Sequence, residues 1–109
     1  AFADEREYFR LNGLILRNGK PYMRMSAKHV TANLLANDFV VTGPVTFTEV
    51  GGQHRKLVTV GAHYSGNDHV LHLDRPTTIQ EGPATLHVAT AVVNFQTGQT
   101  TLGRIVGTM

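Results

Sequence analysis

The chain has 109 residues and a mass of 11.9 kDa, enough for one domain with a single modest core. Hydrophobic residues make up 41% and charged residues 17%, which excludes a disordered chain, and no apolar run reaches the roughly 18 residues of a membrane-spanning helix. Ten Lys and Arg against eight Asp and Glu give +2; only Arg55 and Lys56 adjoin, and the basic stripe with interleaved aromatics of a nucleic-acid surface is missing.

Cysteine is absent, which removes disulfides, thiolate metal sites and thiol nucleophiles while leaving the redox compartment open. The chain shows neither a signal-peptide pattern nor an initiating Met, and it reads as a mature or trimmed segment.

Residues 1–8 lack alternation and read as an unstructured segment, leaving 9–109 as one domain. From Leu11 the apolar period is two almost throughout, the signature of half-buried strands. Leu14 to Arg17 and Met23 to Lys28 flank Asn18-Gly19, a strong hairpin signal. His29 to Leu35 reads as a third strand or a bent extension of the second; its β-branched residues and missing cap argue against a helix. Ala36-Asn37-Asp38 turns the chain. Val41, Val45 and Phe47 follow on one face, interrupted at Gly43-Pro44.

Beyond Gly51-Gly52, Val58, Val60, Ala62 and Tyr64 read as one face against Leu57, Thr59, Gly61 and His63. Ser65 to Asp68 turns, and Leu71 and Leu73 lie in register on the next strand. Arg75-Pro76 breaks it before Thr77 to Gln80 resumes. Glu81-Gly82-Pro83 turns into Leu86 and Val88; Val93 and Phe95 imply a change of face at a bulge. Gln96 to Gln99 turns into Thr100 to Met109, broken at Gly103.

The breaks at Gly43-Pro44, Arg75-Pro76 and Gly103-Arg104 each follow an apolar residue, Val41, Leu73 and Leu102, at spacings of 32 and 29 residues. This is a weak internal repeat of hairpins that cannot bury their faces alone. About ten short antiparallel strands must close as a sandwich, a jelly roll or a barrel. Their aliphatic interior makes either a thin filled core or an apolar groove.

Six histidines raise a metal hypothesis. His69 and His72, three apart on a strand, point to opposite faces, whereas His63 and His69 could approach across a hairpin. No dense ligand spacing appears. Gly-x-Ser-x-Gly is missing, the carboxylates sit near turns, and Gly51-Gly52 lacks the Lys-Ser/Thr of a phosphate loop. The residues therefore name no catalytic group, no metal ligand set and no cofactor.

The segment Tyr22-Met23-Arg24-Met25-Ser26-Ala27-Lys28 resembles a strand of the OstA-like periplasmic lipopolysaccharide-export family, which includes LptA and LptC. The preceding Leu14 to Pro21 is similar to the hairpin of LptC-like members. Val88 to Leu102 resembles the recurrent family unit that ends in Thr-Gly and a leucine, and Val41 to Phe47 and Leu73 to Ile79 fall where its next strand belongs. Asp74-Arg75 stands where the family has glycine, and the chain is shorter than a typical member.

The resemblance implies a half-open, twisted antiparallel β-jelly roll without catalytic activity. Its apolar trough would carry lipopolysaccharide acyl chains through the periplasm. The interior candidates are Met25, Val41, Phe47, Val58, Val60, Leu71, Ile79, Leu86 and Val88. Arg24, Lys28, Arg55, Lys56 and Arg75 are candidate contacts for lipid phosphates. Bridge subunits, or a second copy, would join edge to edge through Leu14 and Leu16 at one end and Thr101 and Leu102 at the other. LptC-like members carry a membrane anchor, which here would lie upstream of residue 1. Without the resemblance, the residues also allow a small β-sandwich adaptor or carbohydrate-binding module with a filled core.

Overall fold

A computed structural model describes residues 5–52 and 54–108. Its elements are β1 (Glu5–Arg17), β2 (Lys20–Asn33), β3 (Asp38–Glu49), β4 (Lys56–Ser65), β5 (Val70–Leu73), β6 (Thr77–Glu81), β7 (Ala84–Val88), β8 (Ala91–Asn94), β9 (Thr100–Leu102) and β10 (Ile105–Thr108). The described residues contain no helix, and every strand pair is antiparallel.

The ten strands form one open sheet that forks at β4. The second half of β4 pairs with β5, and the chain of neighbours continues through β8 to β9; its first half pairs with β6, then β7, then β10. Before the fork, β1 to β4 are long strands that run through both branches. After it, each leg is cut in two: β5 with β6, β7 with β8, β9 with β10. The molecule is a meander of long bent legs, folded across its middle into two leaves. This is the twisted, half-open jelly roll that the family resemblance implies, one of the three closures that the strand pattern alone left open.

The bend follows from local chemistry. β1 carries Arg10 at φ 57°, opposite a register gap in β2 between Ala27 and Val30. β3 bends at Gly43-Pro44, where Gly43 has φ 91° and proline offers no N–H to the ladder. The last legs break at Asp74 to Pro76 and at Gly103-Arg104. The three breaks of the sequence repeat are thus the crossing points between leaves. At the crossings, Thr59 Oγ1 donates to the Pro76 carbonyl at 3.2 Å, and the Ala89 and Gly103 amides donate to the Arg104 and Thr90 carbonyls at 2.8 and 2.9 Å.

Each leaf presents one apolar row. In the first, Met25, Phe47, Leu57, Ile79 and Leu86 are successive register partners. In the second, Ala32, Phe39, Tyr64, Leu71 and Val93 are. The rows pack together in one buried cluster that includes Met23, Met25, Val41, Phe47, Leu71, Ile79 and Val88, with Leu86 half-buried against it. The body of the roll is therefore filled by its own side chains.

Two expectations change. Val58 and Val60 are 39% and 51% exposed on the outer face, while Leu57 and Thr59 are buried. The sequence reading carried one alternation through β4. The bend at Val60-Gly61 shifts the phase by one residue, so the inward set runs Leu57, Thr59, then Ala62, Tyr64. Second, β1 reaches into the segment 1–8: Glu5, Arg6, Glu7 and Tyr8 pair with Asn33, Ala32, Thr31 and Val30. Ala1 to Asp4 lie outside the described residues.

Candidate functional site

The leaves part at the end of the roll remote from their fold line. There the β1–β2 hairpin tip of one leaf stands opposite the turns of the other. Between them lies an open cavity of about 610 Å³, a size typical of small-molecule sites. Leu14, Ile15, Leu16 and Arg17 form one wall. Ala32, Leu34 and Phe39 face them, with Tyr64 and Phe95 at the base and Asp38 and His69 at the margin. Leu34 is 55% exposed at the opening, and Ile15, the register partner of buried Met23, faces inward from β1; Leu14 and Leu16 border the cavity from the outward phase of the strand, beside exposed Arg24.

Turn chemistry holds the mouth in place. Asn18 and Gly19 have φ of 53° and 76°, the pair of positive values that a two-residue hairpin turn requires. Asn33 Oδ1 accepts the Leu35 and Ala36 amides, both at 3.1 Å, and so presents Leu34. Asn94 Oδ1 accepts the Gln96 and Thr97 amides at 2.9 and 3.1 Å beneath Phe95. Asp38 Oδ1 accepts the Gly66 amide at 2.8 Å, which ties the β2–β3 turn to the β4–β5 turn.

The base is aromatic. Phe39 stacks on Tyr64 with centroids 5.1 Å apart; Tyr64 and Phe95 lie 5.6 Å apart, and Tyr22 meets Phe95 edge-on at 5.2 Å. Burial pushes the Tyr64 hydroxyl pKa up, and the nearby Asp38 charge adds to the shift, so the phenol stays neutral. Arg17 caps the group: its guanidinium lies 5.6 Å above the Tyr22 ring, Nη2 donates to the Gln96 carbonyl at 3.4 Å, and Nε is buried without a described partner. The mouth thus combines apolar walls with one cation.

The interior candidates do not line this cavity. Met25, Val41, Phe47, Leu71, Ile79 and Val88 lie deeper, packed between the leaves. Two residues assigned to a sheet edge, Leu14 and Leu16, do line it. Among the described residues, β1 pairs only with β2, β9 only with β8, and β10 only with β7, so all three are edges. Thr101 is exposed on β9, while Leu102 packs partly against the core. Among the cations, Arg55 is tied to Glu49 at 2.9 Å and is not a free phosphate contact. Sequence reasoning missed Arg17, Leu34, Phe39 and Phe95. Leu34-Leu35 beside a predicted turn was the available signal, since apolar residues rarely fill an exposed turn without a reason.

The histidine geometry also differs from expectation. His69 sits in the turn at φ 57°, and the register partner of His63 is His72. No group of three His, Cys, Asp or Glu side chains gathers among the described residues.

The fold is therefore an open, two-leaved antiparallel roll with an apolar mouth at one end. It is similar to the crystal structure of LptH, the LptA-homologous periplasmic component of the lipopolysaccharide transport device from Pseudomonas aeruginosa. The TM-score is 0.65 at 14% identity, over 96% of this chain and 85% of that one. No family model and no curated protein matches the chain. The likeness is one of fold.

Proposed function

We propose that this chain is a non-catalytic lipid-binding element of a lipopolysaccharide-export bridge of the OstA-like type, working in the periplasm. The mouth between the leaves takes the ends of acyl chains, and the leaves part to admit them along Met25, Phe47, Leu71 and Val88. The observation that carries this reading is an open cavity between the leaves, walled by Ile15, Leu34 and Phe39 over an aromatic base of Tyr64 and Phe95. The fold likeness to LptH supports it. Acyl chains suit such a site because apolar burial is non-directional, so a moving cargo keeps its affinity at every position. Thioether side chains such as Met23 and Met25 can repack around it.

The edges β1 and β9/β10 are proposed to pair with neighbouring bridge subunits, or with a second copy, through Leu14, Leu16, Thr101 and Leu102. In this reading the resemblance of the first hairpin, Leu14 to Lys28, to LptC-like members favours LptC over LptA, and an inner-membrane anchor would then lie upstream of residue 1. The test is displacement of a fluorescent apolar dye from the native protein by purified lipopolysaccharide. Saturable dye binding that lipopolysaccharide reverses supports the proposal. A natively folded protein that binds neither is a filled β-sandwich adaptor or carbohydrate-binding module instead.

A further inference from the structure

We propose that His63 and His72 form a chelating site for a divalent transition-metal ion, Cu2+ or Zn2+, on the outer face of the roll. The site is independent of the lipid reading, since it lies on the other face of the β4–β5 ladder from the buried Tyr64 and Leu71. His63 and His72 are direct register partners, and their rings stack with centroids 5.9 Å apart at 22°. Directly opposed residues of an antiparallel pair hold their Cβ atoms about 4.5–5.5 Å apart. Across that span two imidazoles can each turn a nitrogen to one ion at about 2.0–2.1 Å.

Turn length sets the pair. Ser65 pairs with Val70, so residues 66–69 form the loop and the ladder continues to place His63 opposite His72. One residue more or less in that loop would move His72 to the inner face. Both rings lack a hydrogen-bond partner among the described residues, whereas His29 is held by Glu7 and His87 by Thr78. Beside His63 lies a hollow of about 260 Å³ bordered by Gly61, Asp74 and Arg75. The hollow beside His63 is open to the waters that complete coordination, with the Arg75 side chain packed over Gly61. Asp74 and Arg75 border the same hollow without adding a third ligand. The result is a two-imidazole, solvent-open and exchangeable site, with Cu2+ held more tightly than Zn2+.

The test is titration of the whole chain with Cu2+ and with Zn2+ alone, followed by calorimetry and by histidine NMR line-broadening. The native chain should bind one ion in its tightest phase, and substoichiometric Cu2+ should broaden His63 and His72 first. His63→Gln and His72→Gln should each remove that phase, weakening affinity by roughly tenfold or more through loss of a direct ligand. The double variant should lose nothing further, because a chelate fails when either arm is gone. His54→Gln and His69→Gln should leave it intact. Circular dichroism of each variant checks that both rings, exposed or half-buried, are dispensable for folding. Independent, additive losses in the two single variants would overturn the proposal, as would a tightest phase that survives both substitutions.

Discussion

The guanidinium of Arg55 reaches back across the β3–β4 turn to Glu49: Nη2 lies 2.9 Å from one carboxylate oxygen, and the Arg55 amide lies 2.9 Å from the other. Glu49 is a buried carboxylate on the inward face of β3, so the pair closes the sheet where an apolar residue would otherwise stand. Burial pushes the Glu49 pKa up, but the side-chain and backbone hydrogen bonds from Arg55 outweigh it, and the net value lies below the ordinary carboxylate range. A carboxyl depressed on folding adds stability above its unfolded pKa and loses it as pH falls through the folded one. Stability should therefore be flat near neutrality in this respect and decline below about pH 4.5, the ordinary glutamate value. Arg55→Ala should cost about 1–3 kcal/mol at pH 7, because it leaves a largely buried carboxylate without its partner. In that variant the acid-side decline should shrink. Denaturant titrations at pH 7 and pH 3.5 measure both effects.

Gly66 is the close approach that locks the mouth. A Cβ there would collide with the Asn37 carbonyl oxygen and come within 2.9 Å of the Ala36 carbonyl oxygen, both backbone atoms that cannot swing aside. Gly66→Ala should destabilise the domain by about 1–3 kcal/mol, the usual range for overpacking. It should also weaken dye binding, since it pushes the β2–β3 turn that presents Leu34. Gly51→Ala, where a Cβ meets open space and φ is not positive, is the control and should change little. Thermal midpoints of the two variants decide this.

Most of the fold was legible because its punctuation is chemical. Asn18-Gly19, Gly43-Pro44, Arg75-Pro76 and Gly103-Arg104 mark a hairpin and three crossings, and alternation marks the strands between them. Val58 and Val60 were misplaced because the phase shift at Val60-Gly61 carries no proline or turn dipeptide; it is a property of folding the sheet, set by partners far away in sequence. The same holds for Glu5 to Tyr8, whose polar residues gain strand structure from pairing with β2 rather than from their own pattern. The mouth was not legible as a site. Ile15, Leu34 and Phe95 come from three different hairpins, and only the closure of the two leaves brings them together.

The corrected phase of β4 makes a direct prediction. Val60→Thr, at a half-exposed outer position, should change stability by no more than about 0.5 kcal/mol. Leu57→Ala, on the opposite, buried face of the same strand, should cost about 2–5 kcal/mol through loss of burial and the cavity it leaves. Equal effects at the two positions in urea unfolding would contradict the assignment of faces.

Charges separate the mouth from the core. Leu34→Asp places a carboxylate at an exposed turn, so it should leave folding intact and abolish dye binding. Phe47→Asp buries an unpaired charge at a residue with no exposure, so it should unfold the domain outright. Near-ultraviolet circular dichroism and dye titration on the two variants distinguish the cases; a Leu34→Asp protein that binds dye normally would remove the mouth from the account.

The central claim is that lipid enters between the leaves at the mouth and lies along their inner faces. Site-specific photo-crosslinking to purified lipopolysaccharide tests it, with the probe in turn at Leu34, at Phe47 and at the outward-facing Val60. The account predicts strong crosslinking at 34, crosslinking at 47 once lipid is bound, and none at 60. Equal labelling at all three positions, or none at 34 and 47 in a protein shown to be folded, would contradict it.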